Sequence, residues 1–256
     1  MPDFIEVAQT AQEALQEALG PSSEVHKGRG RVWPADGLES VLAYSRKYSG
    51  PHLVQLGEAL NDSECAELHR QAQASSHVCL VDVGCGVAAA SSIAAAIGNA
   101  EYVGLEPHHW LRGLASGLLA AWTYRPRICE LQRALSVDDD WVQRIETHAR
   151  QSGTASTAVL IVMNHVLYQP EGVRRTVKDV LTICSYLCCL PRTAVFLLSI
   201  EPRMVPLPGA FGKDGLNQEL DELELSGSDL VVSSVRKLLG GSSGDAEASL
   251  VEFAVV

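Results

Sequence analysis

From residue 77 onward, short β-branched runs alternate with longer segments of helical spacing, and this alternation constrains the fold more than any other feature. The clearest runs are Val78–Val83, Tyr102–Leu105, Ala158–Met163 and Ala194–Ser199. Such alternation is typical of a parallel sheet with crossover helices, and continuous apolar strands indicate burial on both faces. We expect helices at about 87–97, 109–121, 138–150 and 171–188, with a third strand within 127–135.

The two ends of the chain depart from this alternation. The first 75 residues predict helices over 3–19, Leu38–Tyr48, His52–Leu60 and 62–74, with Gly50-Pro51 separating the second from the third. Near the other end, Leu230–Arg236 and Ser249–Val256 are β-rich runs joined by a short glycine- and serine-rich stretch, which predicts an antiparallel pair. The expected fold class is therefore α/β: a doubly wound, mostly parallel sheet ending in an antiparallel strand pair, with an N-terminal helical cap. We place the cap at 1–75 and the sheet domain at 76–256.

Gly84-Cys85-Gly86 directly follows the first predicted strand and precedes an alanine-rich helix. Glycines at such a turn allow a ligand to approach the backbone without a Cβ in the way. Glu106 stands at the end of the second strand, twenty residues after Gly86, where a carboxylate can accept hydrogen bonds from ribose hydroxyls. The strand, the glycine turn, the helix and the acid together predict a site for a ribose-containing cofactor.

These residues resemble two motifs of the class I (Rossmann-like) methyltransferases that use S-adenosylmethionine. Val81-Asp82-Val83-Gly84-Cys85-Gly86 is similar to the first motif and Gly104-Leu105-Glu106-Pro107 to the second. The resemblance implies that Asp82 and the glycine turn lie beside the methionine portion of S-adenosylmethionine, and that Glu106 holds its ribose. It covers about residues 77–256 and indicates the cofactor rather than the substrate. The family's frequent third glycine is Ala88 here.

A dinucleotide cofactor remains an alternative, because Gly84-x-Gly86-x-x-Ala89 with Glu106 also fits the looser NAD(P) pattern. Asp82 argues against it, since a carboxylate suits an ammonium group and repels a pyrophosphate. The helical segment before the first strand and the final strand pair also resemble methyltransferase architecture. We therefore expect S-adenosylmethionine as the cofactor, and the residues expected to contact it are Asp82, Gly84, Cys85, Gly86, Glu106, Pro107, His108 and Asn164.

Asn164 and His165 follow the central strand, at the edge where ligands bind in doubly wound sheets. They interrupt the apolar run Val159–Leu167, which is costly unless they are hydrogen-bonded or functional. His165 is the predicted catalytic residue, a general base on a hydroxyl acceptor, because its unperturbed pKa lies near neutrality. A histidine at the edge of the core, bonded to backbone, is an equally good interpretation. The segment also lacks the Asn/Asp-Pro-Pro-Tyr sequence of many amino-directed nucleic-acid methyltransferases.

Substrate contacts are expected from two further places. Glu201 and Arg203 follow the next strand in the same crevice geometry, although both residue types are common in ordinary loops. The N-terminal helices are expected to cover the crevice as a lid, because methyl transfer benefits from excluding water. On them, Tyr44, Tyr48 and His52 are the candidate substrate residues, and their helical spacing also suits simple packing.

Charge and cysteine content limit the partners. The formal net charge of −11 disfavours binding to a phosphate backbone. The one basic cluster, residues 26–31, is either a solvated loop or a binding arm. Seven cysteines, an odd number, favour reduced thiols in a cytoplasmic protein. No ligand pairs accompany Cys184, Cys188 and Cys189, so we expect no metal. The sequence shows neither a secretory signal nor an apolar stretch of about 20 residues, so no membrane contact is expected.

The sequence thus predicts a methyltransferase of the EC 2.1.1 class that uses S-adenosylmethionine and acts on an oxygen or nitrogen of a small molecule. Three alternatives stay open. The chain is an RNA or protein methyltransferase if the basic cluster 26–31 lines the crevice. It is a catalytically silent Rossmann-like subunit if the glycine loop merely packs. It is an NAD(P)-dependent oxidoreductase if the looser glycine pattern decides the cofactor.

Overall fold

The computed structural model describes residues 2–20, 37–97, 100–119, 129–132, 135–151, 156–167, 173–202, 211–225, 230–238 and 246–255. The helices are α1 (Phe4–Leu19), α2 (Leu38–Leu60), α3 (Ala66–Ala74), α4 (Ser91–Ala96), α5 (His109–Leu119), α6 (Asp140–Gln151), α7 (Val173–Cys188) and α8 (Gly212–Leu225). The strands are β1 (His77–Val83), β2 (Glu101–Leu105), β3 (Cys129–Gln132), β4 (Thr157–Asn164), β5 (Thr193–Pro202), β6 (Leu230–Leu238) and β7 (Ala246–Val255). Within these ranges no helix has the length and apolarity needed to cross a membrane.

The described strands form one sheet in the order β3-β2-β1-β4-β5-β7-β6. β1 pairs in parallel with β2 on one side and with β4 on the other, and β4 pairs in parallel with β5. β7 runs antiparallel to both β5 and β6. This confirms the predicted mostly parallel sheet with a closing antiparallel pair. It also places the uncertain third strand at the far edge, beside β2.

Alternate residues of the strands enter two separate apolar cores. On one face, Leu80, Leu160 and Phe196 pack with buried residues of α1, α2, α4 and α5. On the other face, Val81 and Ile161 pack with buried residues of α6, α7 and α8. The central strands are buried along almost their whole length, which is why they contain few polar residues. The sheet is covered on both faces, as the continuous apolar runs predict.

The N-terminal helices belong to the first of these cores. The buried stripe of α1 includes Phe4, Ala8 and Leu15, and it lies in the same apolar cluster as Leu80 of β1. Asp3 caps α1 by accepting from the backbone N–H of Ile5 at 2.9 Å. Asn61, directly after α2, donates to the same carboxylate at 2.7 Å. The start of α1 is thus fixed to the end of α2, and both lie against the sheet.

Three local predictions differ from the structure. α2 is one helix although Pro51 lacks an N–H donor and its ring crowds the carbonyl four residues earlier, because buried residues such as Val41 and Leu53 continue one packed face across it. α4 begins at Ser91 rather than near 87, because Ala88 adopts a left-handed conformation with φ of 58°. α8 was not predicted, although Leu216 and Leu220 provide its buried contacts at helical spacing.

We predict that Gly57→Ala destabilises the protein. A Cβ at this position of α2 would lie 2.5 Å from the carbonyl oxygen of Phe4 and 2.9 Å from Cβ of Ala8. The helices would have to separate, at a cost of about 1–3 kcal/mol that exceeds the gain in helix propensity of roughly 1 kcal/mol. The free energy of unfolding, measured by urea titration with circular dichroism, reports the change.

Gly113→Ala is the matched control, because a Cβ at this exposed position of α5 meets nothing within 4 Å. This variant should be more stable by about 0.4–1 kcal/mol. Equal effects of the two substitutions would contradict the close α1–α2 packing described above.

Candidate active site

The candidate site lies at the carboxyl ends of β1 and β4. Strands β2 and β3 extend the sheet on one side of this pair, and β5 extends it on the other. The two connections that leave β1 and β4 therefore move in opposite directions and leave a crevice between them. Ligands bind at this kind of switch point in doubly wound sheets.

The glycine turn follows β1 and is bonded to the end of β2. Gly84 and Gly86 have φ of 73° and 55°, in the left-handed region that suits glycine. The N–H groups of Gly84 and Cys85 donate to the carbonyl of Leu105 at 2.8 and 2.9 Å. A Cβ on Gly84 would also lie 2.9 Å from Cγ2 of Val166, in the loop after β4. The turn therefore packs closely between the end of β2 and the loop after β4, and two of its N–H groups already donate hydrogen bonds.

Glu106 lies just after β2 and holds the third amide of the turn. Its Oε2 accepts from the N–H of Gly86 at 3.0 Å, and its Oε1 accepts from the N–H of His108 at 2.8 Å. Burial raises the pKa of this carboxyl, and the two backbone hydrogen bonds act in the opposite direction. The carboxylate therefore connects the glycine turn to the loop that begins α5.

Asp82 is a buried residue near the end of β1 whose carboxyl borders the crevice. The hydroxyl of Tyr102 donates to its Oδ2 at 2.9 Å. Burial raises the pKa of Asp82 to about 7, the Tyr102 hydrogen bond lowers it, and the nearby charge of Glu106 raises it. A positively charged group placed beside Asp82 would favour the ionised form.

Eight of the predicted site residues line one cavity. They are Tyr44, His52, Asp82, Gly84, Cys85, Gly86, Asn164 and His165. The cavity volume among the described residues is about 50 Å³, far below the roughly 300–1,000 Å³ of small-molecule pockets. The space is small because side chains of α2 enter the crevice from the N-terminal part of the chain. The predicted cofactor residues and the predicted substrate residues of α2 therefore do meet.

The contacts between α2 and the loop after β4 close the crevice. The rings of His52 and His165 are stacked, with centroids 3.9 Å apart and planes inclined by 7°. Asn164 donates from Nδ2 to the backbone carbonyl of His52 at 2.8 Å. Burial lowers the pKa of His165 to about 4, and burial and then the neighbouring His165 lower the pKa of His52 to about 3. Both imidazoles are therefore neutral at pH 7.

Other predicted site residues, including Glu106, lie outside the cavity lining. Pro107 is exposed, and His108 is half-buried with a ring Nδ1 that is buried and makes no hydrogen bond. The ring of Tyr48 stacks on the ring of His52, with centroids 5.8 Å apart. Glu201 is buried at the end of β5 and bonds to the loop after β4. Arg203 and the basic cluster 26–31 fall outside the described residues.

Sequence reasoning missed three polar residues of the site. Ser49 lines the cavity, Gln55 places its amide oxygen at hydrogen-bonding distance from Nε2 of His165, and Tyr102 bonds to Asp82. Gln55 had a signal, because it continues the series Tyr48 and His52 at helical spacing on α2. Tyr102 had none, since its side chain reaches Asp82 only through the pairing of β1 with β2.

No three His, Cys, Asp or Glu side chains in the described ranges lie close enough together to hold a metal ion. Of the three clustered cysteines, Cys184 on α7 is fully buried in the second core, and Cys189, directly after α7, is exposed. Cys188 and Cys189 each place their sulfur within 3.2 Å of the carbonyl of Ser185. Cys184 and Cys188 therefore pack in the second core, and Cys189 lies at the surface.

Comparison with known proteins gives structural neighbours only. The sequence matches no family model and no curated protein. A methyltransferase from Aquifex aeolicus that depends on S-adenosylmethionine is similar at a TM-score of 0.46 and 7% identity, over 78% of this chain and 93% of that one. Magnesium protoporphyrin IX methyltransferase from Synechocystis, with bound S-adenosylhomocysteine, is similar at a TM-score of 0.45 and 13% identity, over 99% and 100%.

A putative RNA methyltransferase from Pyrococcus horikoshii is a third neighbour, with a TM-score of 0.42 and 11% identity over 96% of this chain and 98% of that one. These scores are too low to carry an argument about ligand or reaction.

Glu201 holds the loop that carries His165. Its Oε1 accepts from the N–H of Leu167 at 3.1 Å, while its Oε2 is buried and makes no hydrogen bond. Burial raises the pKa of Glu201 to about 8, against the smaller opposing effect of the Leu167 hydrogen bond. The side chain is therefore a neutral acid at pH 7, and its hydrogen bond to Leu167 holds the loop after β4.

We predict that Glu201→Gln reduces the loss of stability at rising pH. Between pH about 4.5 and 8 the folded state keeps a proton on Glu201 that the unfolded state has released. The free energy of unfolding therefore falls as pH rises through this window, by up to about 1.4 kcal/mol per pH unit. Urea titrations at pH 5, 6, 7 and 8 (roughly spanning the window) should show a smaller slope for the variant.

Asp82 contributes in the same direction up to a pH of about 7, but it does so in wild type and variant alike, so the difference between their slopes reports Glu201. Glu39→Gln, at an exposed position of α2, is the control and should keep the wild-type slope. Identical slopes for wild type and Glu201→Gln would show that Glu201 is ionised in the folded protein.

Proposed function

We propose that this chain is an S-adenosylmethionine-dependent methyltransferase that methylates an oxygen or nitrogen of a small molecule. The observation that carries the proposal is the use of the glycine-turn amides. Gly84 and Cys85 donate to Leu105, and Gly86 donates to Glu106. A pyrophosphate would find these donors occupied and two carboxyl groups, Asp82 and Glu106, beside it. This arrangement favours a positively charged cofactor over NAD(P).

The residues of the crevice fit the parts of S-adenosylmethionine. Each oxygen of Glu106 accepts one backbone hydrogen bond, and a carboxylate has about four acceptor positions, so capacity remains for ribose hydroxyls. Asp82, with a pKa of about 7, would become ionised beside the ammonium group of the methionine portion. When bound, the cofactor supplies a methyl group on a positively charged sulfur, which is the electrophile of the reaction.

His165 is proposed as the residue that takes the proton of the acceptor. Its neutral ring borders the cavity. A base with a pKa of about 4 accepts a proton once the acceptor oxygen has become strongly acidic, as an alcohol or phenol oxygen does while it bonds to the methyl carbon. Asn164, which is fixed to α2, would hold the position of the neighbouring backbone. These roles suit a hydroxyl acceptor in particular.

Residues 1–75 are proposed to form a cap over the domain formed by residues 76–256. The support comes from α2, whose residues Tyr44, Ser49 and His52 form one wall of the cavity. Because the cavity holds only about 50 Å³, cofactor and acceptor can enter only when α2 or its side chains move. The free thiols among the described cysteines suit the reducing cytoplasm that we propose for the protein.

A catalytically silent subunit is the second candidate, and the filled crevice favours it. The stacked rings of His52 and His165 line a cavity of only about 50 Å³. In that case the glycine turn serves packing alone. Direct cofactor binding separates the two candidates.

We predict that the wild-type protein binds S-adenosylmethionine and S-adenosylhomocysteine in isothermal titration calorimetry. Glu106→Ala should weaken binding by about tenfold or more, because it removes charge-assisted hydrogen bonds worth roughly 1.5–3 kcal/mol. Glu39→Ala, at an exposed position, should bind as wild type does. Absence of binding by the wild type would refute the proposal. Tight binding that Glu106→Ala leaves unchanged would favour the silent subunit.

A further prediction concerns His165. His165→Asn should lower single-turnover methyl transfer to phenol, catechol and amine acceptors by about 10²–10⁴-fold without changing the affinity for S-adenosylmethionine. Asparagine is the suitable replacement because it tolerates the left-handed backbone at this position, where φ is 59°. Formation of S-adenosylhomocysteine is the measurement. Parallel losses of binding and turnover, with lower stability, would assign His165 a structural role.

A further inference from the structure

His165 makes a hydrogen bond that defines which of its ring nitrogens carries a proton. Its Nε2 lies 2.7 Å from Oε1 of Gln55, on α2, 110 residues away in the chain. An amide oxygen only accepts hydrogen bonds, so Nε2 must be the protonated nitrogen. In a neutral imidazole the other nitrogen, Nδ1, then holds the lone pair.

The backbone and the stacked ring fix the orientation of this imidazole. His165 has a φ of 59°, a conformation that costs a residue other than glycine about 1–3 kcal/mol and persists where the surroundings hold it. Its N–H donates to the carbonyl of Ile200 at 2.7 Å. His52 covers one face of the ring at a centroid distance of 3.9 Å. With Nε2 held by Gln55, Nδ1 is the remaining polar atom of a ring that lines the cavity.

The neighbouring polar groups do not determine which nitrogen of the His165 ring is protonated. His52 is neutral, Asn164 is turned to the backbone carbonyl of His52, and Asp82 is bonded to Tyr102. Glu201, on the neighbouring strand β5, is bonded to Leu167 instead. Within the described residues, Gln55 is thus the partner that distinguishes the two nitrogens of His165.

We propose that Gln55 is a positioning residue that holds His165 in the tautomer protonated at Nε2, so that Nδ1 is the atom that takes the acceptor's proton. This inference rests on the proposed function, because it assigns the reacting atom of the proposed base. During transfer the acceptor oxygen bonds to the methyl carbon, the carbon–sulfur bond breaks with its electron pair remaining on sulfur, and the released proton moves to Nδ1. The ring then carries a positive charge, and its Nε2–H group still donates the hydrogen bond to Gln55.

A glutamine on a half-buried helix face also has a purely structural interpretation, in which it only satisfies the histidine. The two interpretations differ in their observables. A structural contact affects stability alone. A positioning role affects the tautomer, the pH profile and the maximal rate while cofactor affinity is unchanged.

Nuclear magnetic resonance of the ligand-free protein tests the tautomer without any activity. In protein labelled with ¹⁵N-histidine, the His165 signals are assigned by their loss in His165→Asn. We expect the wild-type ring to be protonated at Nε2, and Gln55→Leu to give signals averaged between the two tautomers. A wild-type ring protonated at Nδ1, or a Gln55→Leu ring identical to the wild type, would overturn the inference.

The pH profile of methyl transfer tests the functional consequence. In Gln55→Glu a carboxylate beside Nε2 should raise the pKa of His165, and the acidic limb of the turnover profile should move to higher pH by about 1–3 units. Gln55→Leu should lower turnover at least tenfold with unchanged affinity for S-adenosylmethionine, because an imidazole in the wrong tautomer is a poor base. Thermal melting of each variant separates a folding defect from these effects.

Gln73→Glu adds the same charge at an exposed position of α3 and should leave the profile unchanged. A Gln55→Glu profile that overlays the wild type would overturn the positioning role. If the wild type transfers no methyl group, the proposed function fails, and the resonance measurement still decides whether Gln55 sets the tautomer.

Discussion

The sheet of this protein has two apolar faces, and both must be buried for the parallel strands to be stable. One face is covered by α6, α7 and α8, which alternate with the strands along the chain. The other face is too large for the short α4 and for α5, and its remaining area is covered by α1 and α2. The need to cover this face places α2 at the carboxyl edge of the sheet. The composition of the candidate site follows from that placement, because half of its polar side chains come from α2.

Hydrogen bonds of the backbone fix the polar groups at this edge of the sheet. The Leu105 carbonyl binds two amides of the glycine turn, and Glu106 binds the third. The carboxyl group of Asp82 borders the crevice and that of Glu106 lies against the glycine turn, so few amide donors are left there for an anion. This local charge pattern is the physical reason to favour a cationic cofactor, and it does not depend on the distant structural neighbours.

Local features of this structure could be predicted from sequence, and contacts between distant segments could not. The central strands were predictable because their apolar runs are continuous, and the glycine turn was predictable because its residues are adjacent. The length of α2 was wrongly predicted, since a proline signals a break whereas packing on both sides of Pro51 keeps the helix continuous. The pairing of His165 with Gln55 and His52 joins segments more than a hundred residues apart, and only the folded sheet brings them together. The sequence did mark Asn164 and His165 as polar interruptions that need partners, and His52 as a candidate contact, whereas Gln55 was not singled out.

The shared core of the N-terminal helices has a consequence for how the chain acquires its structure. During synthesis the N-terminal segments emerge first, so α1 and α2 exist before β4 and β5, which form much of the surface that they cover. Until those strands emerge, α1 and α2 can bury apolar area mainly against each other, and the close approach at Gly57 makes that early pairing specific. The docking of this helical pair on the sheet is a contact of long sequence separation, which is slow to form. The crevice of the candidate site is therefore among the last parts of the molecule to be completed.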